Sequence, residues 1–274
     1  MPARLFVCTP SRLATFECPR RYRFTYVDDP APTRGMPWAH NSVGAAAHLA
    51  LHRWWLLPRS QRVPERGVEL IEQNWPAFGF RDDRQSARVC ERTADQVVAY
   101  LADLDPSDEP VGVERTVATR TRALALSGRV DRIDDRVGDP DGEVVVVDYK
   151  TGRRELTEDD AAGSAALALY TLAVRRTLRR DCHRVELHHL PTRRVAAFEH
   201  DDASLGRHLE RAERTAGEIV AATDALAAGE HPDIAFPPIA TSACSWCDFR
   251  RHCPEGRDAS PEVEPWAGLA PFEQ

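Results

Sequence analysis

Hydrophobic and polar positions change their period along this chain of 274 residues. In the first part, apolar residues recur at helical spacing and predict amphipathic helices over 41–57, 65–75 and 82–105. From Val111 the period becomes two, which indicates strands up to about residue 200 with one helix among them, over 159–180. Another long amphipathic helix follows. This order of elements predicts an α/β fold.

One predicted strand carries charged residues at its end. Val144–Val147 are apolar and β-branched, and Asp148, Tyr149 and Lys150 follow them directly. Because side chains alternate along a strand, Asp148 and Lys150 are expected on the same face. Lys150 is also the only lysine among the 36 Lys and Arg residues. A buried carboxylate and ammonium are costly unless they meet a metal or an anion, so a reactive site is favoured over a surviving surface lysine.

The preceding strand supplies a second carboxylate. Ser127–Asp134 is predicted to pair with the Val144–Val147 strand, and this pairing brings Asp131 beside Asp148. Two carboxylates can chelate a hard divalent cation, and the Lys150 ammonium can steady an attacking water or a phosphate oxygen.

Composition narrows the class of protein. The net charge of −7 argues against a generally basic nucleic-acid coat, but it allows a local basic groove, for which the densest candidate is Arg175, Arg176, Arg179 and Arg180. No segment approaches the length of a membrane span and the N-terminus lacks a signal-peptide pattern, so a cytoplasmic protein without membrane contact is expected. ATP binding by a phosphate loop is not expected, because that motif needs Gly-Lys and the single lysine follows Tyr149.

The cysteines suggest a second metal centre. Cys244-x-x-Cys247-x5-Cys253 lies near one end of the chain and Cys18 near the other. In a reducing compartment such thiolates suit zinc or an iron–sulfur cluster, and the spacing alone does not choose between them.

The two strand motifs, Gly-Arg-Val-Asp-Arg-Ile-Asp and Val-Val-Asp-Tyr-Lys-Thr-Gly, resemble the signature of the RecB-like branch of the PD-(D/E)XK nucleases. This resemblance implies a restriction-endonuclease-like core, a mixed central sheet flanked by helices. It implies that His48, in Gly44-x-x-x-His, joins Asp131 and Asp148 in holding Mg²⁺ or Mn²⁺, and that Glu114 is a possible additional ligand. Val130 stands where the family has proline.

The resemblance extends to the cysteines and to the substrate. Cys18, Cys244, Cys247 and Cys253 resemble the set that holds a [4Fe–4S] cluster in AddB and in CRISPR-associated RecB-type exonucleases, with zinc as the alternative. Tyr170 matches the tyrosine of a Gln-x-x-x-Tyr motif, whereas Ala166 replaces the glutamine and removes one substrate contact. Further candidates for DNA binding are the arginines Arg20, Arg21 and Arg129.

These patterns predict a single RecB-like nuclease domain over 1–260 and a flexible tail over 261–274. Within the domain we expect a helical region at about 41–105, a catalytic sheet at about 111–200, and a C-terminal helix with the cysteine cluster at 202–254. The predicted function is a metal-dependent deoxyribonuclease, an exonuclease on single-stranded ends in DNA repair or recombination, with a possible helicase partner. The alternative is a non-catalytic nucleic-acid-binding or assembly subunit on the same fold.

Overall fold

The structure, a computed structural model, describes residues 5–136 and 142–269. The chain forms two compact units, each assembled from segments that are distant in the sequence. The first comprises Met1–Met36, Ala118–Gly128 and Asp202–Val263, and the second comprises Pro37–Val117, Arg129–Asp201 and Glu264–Gln274. The single nuclease domain predicted over 1–260 stays a prediction.

The helices and strands follow one another in the order that the hydrophobic pattern indicates. The strands are β1 (Phe6–Cys8), β2 (Gly112–Arg120), β3 (Leu124–Asp135), β4 (Val144–Lys150), β5 (Cys182–His189) and β6 (Arg194–Glu199). The α-helices are α1 (Pro10–Thr15), α2 (Pro19–Tyr26), α3 (Ala39–Trp55), α4 (Arg66–Glu72), α5 (Asp83–Ala102), α6 (Glu158–Gly163), α7 (Ala165–Leu178), α8 (Asp202–Ala227), α9 (Pro232–Ala235) and α10 (Pro254–Ala259). Over 5–136 and 142–269, no helix is both long and apolar enough to cross a membrane.

The sheet of the second unit is mixed. β3 pairs antiparallel with β4, β4 pairs parallel with β5, and β5 pairs antiparallel with β6. β4 lies inside this sheet, and its four valines are buried. Val145, Val147 and Tyr149 pack against α3 and α5 in one core cluster, while α7 contacts β4 and β5. The predicted mixed sheet with flanking helices is therefore confirmed.

The first unit joins a short strand to helices from both ends of the chain. β1 pairs parallel with the beginning of β3, from Phe6 with Leu124 to Cys8 with Leu126. Thr9 caps α1, because its hydroxyl accepts a hydrogen bond from the Arg12 backbone N–H. The buried Tyr22 ring of α2 stacks on Phe236, with 6.3 Å between the ring centroids. These aromatic contacts fix α2 against the segment that follows α9.

The end of the described chain packs on the second unit. The Ala39 backbone N–H donates to the Pro265 carbonyl at 3.0 Å, and Leu269 is buried with Ala39, Val43 and Val89. The flexible tail predicted for 261–274 stays a prediction, and within that range the apolar side chain of Leu269 takes a core position. Residues 270–274 lie outside the described part of the chain.

Candidate active site and cysteine pocket

The charged end of β4 faces partly open space. Lys150 Nζ lies 2.5 Å from Asp148 Oδ2, as expected for two side chains on one face of a strand. The Asp148 side chain is 22% exposed and that of Lys150 is 45% exposed. The amine is therefore accessible to a ligand, whereas the carboxylate lies deeper.

His48 and Asp131 meet beside this pair. The His48 Nδ1 atom is 3.2 Å from Asp131 Oδ2, and Nε2 is 3.0 Å from the Tyr149 carbonyl oxygen. Asp131 Oδ2 also accepts a hydrogen bond from the Tyr149 backbone N–H at 2.9 Å. Both partners of the imidazole are acceptors, so the ring satisfies them only when both nitrogens carry a proton. A metal ion at this position would replace one of those protons.

Glu114 completes a set of potential ligands. One ligand atom each from His48, Glu114 and Asp131 lies within 4.8 Å of the others. Glu114 is a non-glycine residue of β2 at φ 48°, a left-handed conformation that L-residues rarely adopt. Its carboxylate also pairs with Arg129 at 2.7 Å. Carboxylate oxygens with one imidazole suit Mg²⁺ or Mn²⁺, so the residues present fit the divalent ion that the sequence predicts.

Two acidic groups of this site, Glu114 and Asp148, hold their protons more tightly than usual. Burial and the neighbouring Asp131 raise the pKa of Glu114, and burial with the Asp131 charge raises the pKa of Asp148 against the opposing effect of Lys150. Burial lowers the pKa of His48, but Asp131 and Asp148 outweigh burial and raise it overall. The charge of Asp131 contributes to all three shifts, and a divalent cation bound among these groups would oppose it.

The predicted DNA-binding residues fall into two groups. Tyr170 on α7 makes a hydrogen bond with the Arg129 backbone, and burial with the Asp148 and Asp131 charges raises the Tyr170 pKa. Arg129 itself is 68% exposed. These two residues therefore lie with the carboxylates. Arg20 and Arg21 line a pocket in the first unit instead, together with the predicted cysteines.

All four cysteines of the predicted cluster line that pocket. They are Cys18, Cys244, Cys247 and Cys253. A Cβ on Gly256 would lie 3.4 Å from Cys253 Sγ and 3.6 Å from Cys244 Sγ, so this glycine keeps the space between two sulfurs open. Thiols converging on one cavity fit a soft metal centre.

Arg20 is fixed at this pocket by ionic contacts. Its side chain is buried, and one guanidinium nitrogen donates to Cys253 Sγ at 3.4 Å and pairs with Glu255. The other terminal nitrogen lies 3.1 Å from Asp233 Oδ1. The DNA-binding role predicted for Arg20 stays a prediction, since these partners already occupy the guanidinium. Arg20 follows Cys18 by two residues at the start of α2. This short spacing was the sequence signal that Arg20 could lie beside the cysteine sulfurs.

The family model for the PD-(D/E)XK nuclease superfamily matches residues 8–254. The chain belongs to this superfamily. Among solved structures, it is similar to a crystal structure from Eubacterium rectale that is provisionally described as an exonuclease. Sequence identity is 10%, the TM-score is 0.45, and the match covers 79% of this chain and 80% of that chain. A search of curated proteins finds no match.

Membership of the PD-(D/E)XK superfamily supports a nuclease, and enzymes of this superfamily use divalent metals. In this PD-(D/E)XK chain Asp131 lies within β3, and Asp148 and Lys150 lie at the end of β4. The RecB-like branch and the iron–sulfur subset stay predictions. Two charged members of the first motif, Arg132 and Asp134, had no role predicted from the sequence, although an arginine between two aspartates in a buried strand was a visible signal.

Proposed function

We propose that this chain is a divalent-metal-dependent deoxyribonuclease that hydrolyses phosphodiester bonds. The observation that carries the proposal is the convergence of four side chains: Asp131 from within β3, Asp148 and Lys150 from the end of β4, and His48 from α3. Two acidic groups, an imidazole and an accessible amine in one place are the parts that phosphodiester hydrolysis requires.

Each side chain has a distinct task in this reaction. His48, Asp131 and Asp148 would hold Mg²⁺ or Mn²⁺, with Glu114 and the Tyr149 carbonyl within reach. A bound divalent cation supplies Lewis-acid charge at a phosphodiester oxygen. Lys150 orients the attacking water and offsets negative charge that develops on the phosphate.

The substrate we propose is single-stranded DNA, degraded from its ends in repair or recombination. Exposed Arg129 offers a cation for the phosphate backbone beside the acidic groups, and Tyr170 offers a ring on which a base can stack. The resemblance to RecB-like exonucleases supports action at ends. Because the sequence lacks a phosphate loop, a separate helicase would supply the unwound strands.

A cleavage assay with end-labelled single-stranded DNA and Mn²⁺ tests the proposal. We expect cleavage by the wild type and a loss of about 10²-fold or more in Asp148→Ala and Lys150→Ala, the size typical of removing one group that stabilises developing charge. Lys150→Arg should also fail, because a planar fork cannot replace a compact ammonium. Arg207→Lys, which exchanges an exposed arginine for lysine on α8, is the control and should cleave normally. DNA binding without cleavage by the wild type would refute the enzyme and favour the non-catalytic subunit.

We also propose that the four pocket cysteines hold a [4Fe–4S] cluster with a structural role. A crosslink between Cys18 and the C-terminal cysteines closes a loop of most of the chain, which the loop-entropy relation values at about 5 kcal/mol. Cys18→Ala should therefore lose iron and sulfide and become poorly soluble, whereas Cys90→Ala, outside the pocket, should keep both. A soluble, fully active Cys18→Ala protein would contradict the role, and zinc without iron would replace the cluster by a zinc site.

A further inference from the structure

A buried hydrogen-bond network lies behind the acidic site. Tyr149 stands between Asp148 and Lys150 on β4, so its side chain points to the other face of the sheet, where it is 2% exposed. Its hydroxyl accepts hydrogen bonds from Arg132 Nη1 at 3.3 Å and from Trp55 Nε1 at 3.4 Å. The network therefore begins at the residue between the proposed catalytic pair.

Arg132 is the centre of this network. It follows Asp131 on β3 and points away from it, and its side chain is 5% exposed. Its Nη1 also donates to the Tyr100 hydroxyl at 3.2 Å, while Nε and Nη2 both lie 2.9 Å from Asp134 Oδ2. The guanidinium carbon lies 5.4 Å from the Trp55 ring centroid and 5.7 Å from that of Tyr149.

These partners connect the elements that carry the proposed metal ligands. Arg132 adjoins Asp131 on β3, Tyr149 adjoins Asp148 on β4, and Trp55 ends the helix α3 that carries His48. We propose that Arg132 is a positioning residue that holds β3, β4 and α3 together behind the site and thereby sets its affinity for a divalent cation. This inference rests on the metal site of the proposed function.

A buried cation is a poor choice for stability alone. Replacing buried charged groups by apolar side chains of similar volume is often neutral or stabilising, so the guanidinium requires another reason. Its planar fork presents donors in several fixed directions at once, which an apolar chain or a lysine cannot do. The Tyr100 hydroxyl is anchored in turn, 2.8 Å from His188 Nδ1 on β5. The network thus specifies the relative placement of strands and helix rather than adding apolar burial.

Arg62 offers a matched control. It is equally buried, and its guanidinium carbon lies 5.5 Å from the same Trp55 ring. Its guanidinium donates to the backbone carbonyls of Leu57, Trp55, Pro106 and Asp108, all in the helical region before β2. Arg62→Met therefore removes a buried guanidinium that contacts Trp55. The contacts that Arg132 makes with β3 and β4 remain in this variant.

Calorimetric titration of Mn²⁺ into the purified full chain tests the inference. We expect Arg132→Met to bind Mn²⁺ about 10- to 100-fold more weakly than wild type, the range known for groups that orient metal ligands from behind. Arg62→Met should remain within about twofold of wild type, and Arg132→Lys should not restore the affinity. Wild-type Mn²⁺ affinity in a folded Arg132→Met protein would overturn the inference.

A second measurement covers the cases in which Arg132→Met does not fold or the wild type binds no Mn²⁺. Tyr149→Phe removes only the hydroxyl that Arg132 and Trp55 share, and it should weaken Mn²⁺ binding several-fold. In metal-free protein, hydrogen exchange of the Tyr149 amide reports its bond to Asp131. Faster exchange of the Tyr149 amide in Arg132→Met than in Arg62→Met supports a positioning role for Arg132, even if the wild type binds no Mn²⁺. Absence of Mn²⁺ binding by the wild type would refute the metal site itself. Unchanged Mn²⁺ binding in Tyr149→Phe, or equal exchange in the two arginine variants, overturns the inference.

Discussion

Replacing Glu114 with glycine should make the metal-free protein more stable and its metal site weaker. Glu114 lies at φ 48°, where an L-residue costs about 1–2 kcal/mol relative to the right-handed regions. Glycine adopts this conformation without that cost, but it loses about 0.5–1 kcal/mol through the greater freedom of its unfolded chain. The net backbone gain is therefore about 0.5–1 kcal/mol.

Loss of the Glu114 carboxylate should not reduce this gain in stability when no metal is bound. Burial and Asp131 raise the pKa of Glu114, so the folded state binds its proton more tightly than the unfolded state does. Such a group contributes stability at low pH and loses that contribution as the pH rises through the raised pKa. At neutral pH, removal of the Glu114 carboxylate should therefore not destabilise the fold. The ion pair with exposed Arg129 is lost as well, but such a pair contributes little to the free energy of unfolding.

Thermal unfolding in the presence of chelator, and Mn²⁺ titration, separate these effects. Glu114→Gly should raise Tm by about 2–4 °C, the shift expected for about 1 kcal/mol in a domain of this size. Glu114→Gln keeps the strained backbone and should gain less, while both variants should bind Mn²⁺ about tenfold more weakly. Arg179→Gly, an exposed residue at φ 57°, is the control for backbone relief without a change in metal binding. A Glu114→Gly protein that melts below Glu114→Gln, or that keeps wild-type Mn²⁺ affinity, would refute the reasoning.

Three further predictions concern the pocket, the pH dependence and the chain end. Gly256→Ala should leave the metal-free fold intact, since helix propensity favours alanine by about 0.5–1 kcal/mol. It should nevertheless lower the iron content, because the added methyl group fills the space between the sulfurs. The control is Gly217→Ala, whose added methyl group meets nothing within 4 Å, and this variant should keep its iron. The Mn²⁺-induced rise in Tm should grow as the pH rises from acid to neutral, because His48, Glu114 and Asp148, whose pKa values are all raised, must lose protons to bind the ion; a flat profile in thermal scans would contradict this. Leu269→Ala should lower the free energy of unfolding by about 2–4 kcal/mol in denaturant titration, whereas a flexible tail would show no change.

The strands that carry the chemistry were predictable because their patterns are strong. The four valines of β4 are buried on both faces of the sheet, as a continuous apolar run predicts, and the alternation that follows them places Asp148 with Lys150. The helix predicted over 159–180 is instead two helices, α6 and α7, because the Ser164 hydroxyl caps the second by accepting from the Leu167 backbone N–H. A serine inside a helical pattern is a weaker signal than a proline or glycine pair, so the break was missed.

Other features depend on contacts that no local pattern encodes. Glu114 reaches His48 and Asp131 through an unusual backbone conformation that the two-residue period of a strand does not reveal. The charge of Arg20 suggested a phosphate, whereas its partners Asp233 and Glu255 lie more than two hundred positions away. Charge identifies the kind of partner a side chain needs, and only the tertiary structure identifies which partner it has.

The solitary amine at the end of β4 makes this enzyme unusually easy to observe. Because Lys150 is the only lysine and its side chain is 45% exposed, reductive methylation with ¹³C-formaldehyde would attach a probe to a single side chain, apart from the terminal amine. The methyl resonances of that one probe would then report cation and DNA binding directly at the proposed active site, without assignment of any other residue.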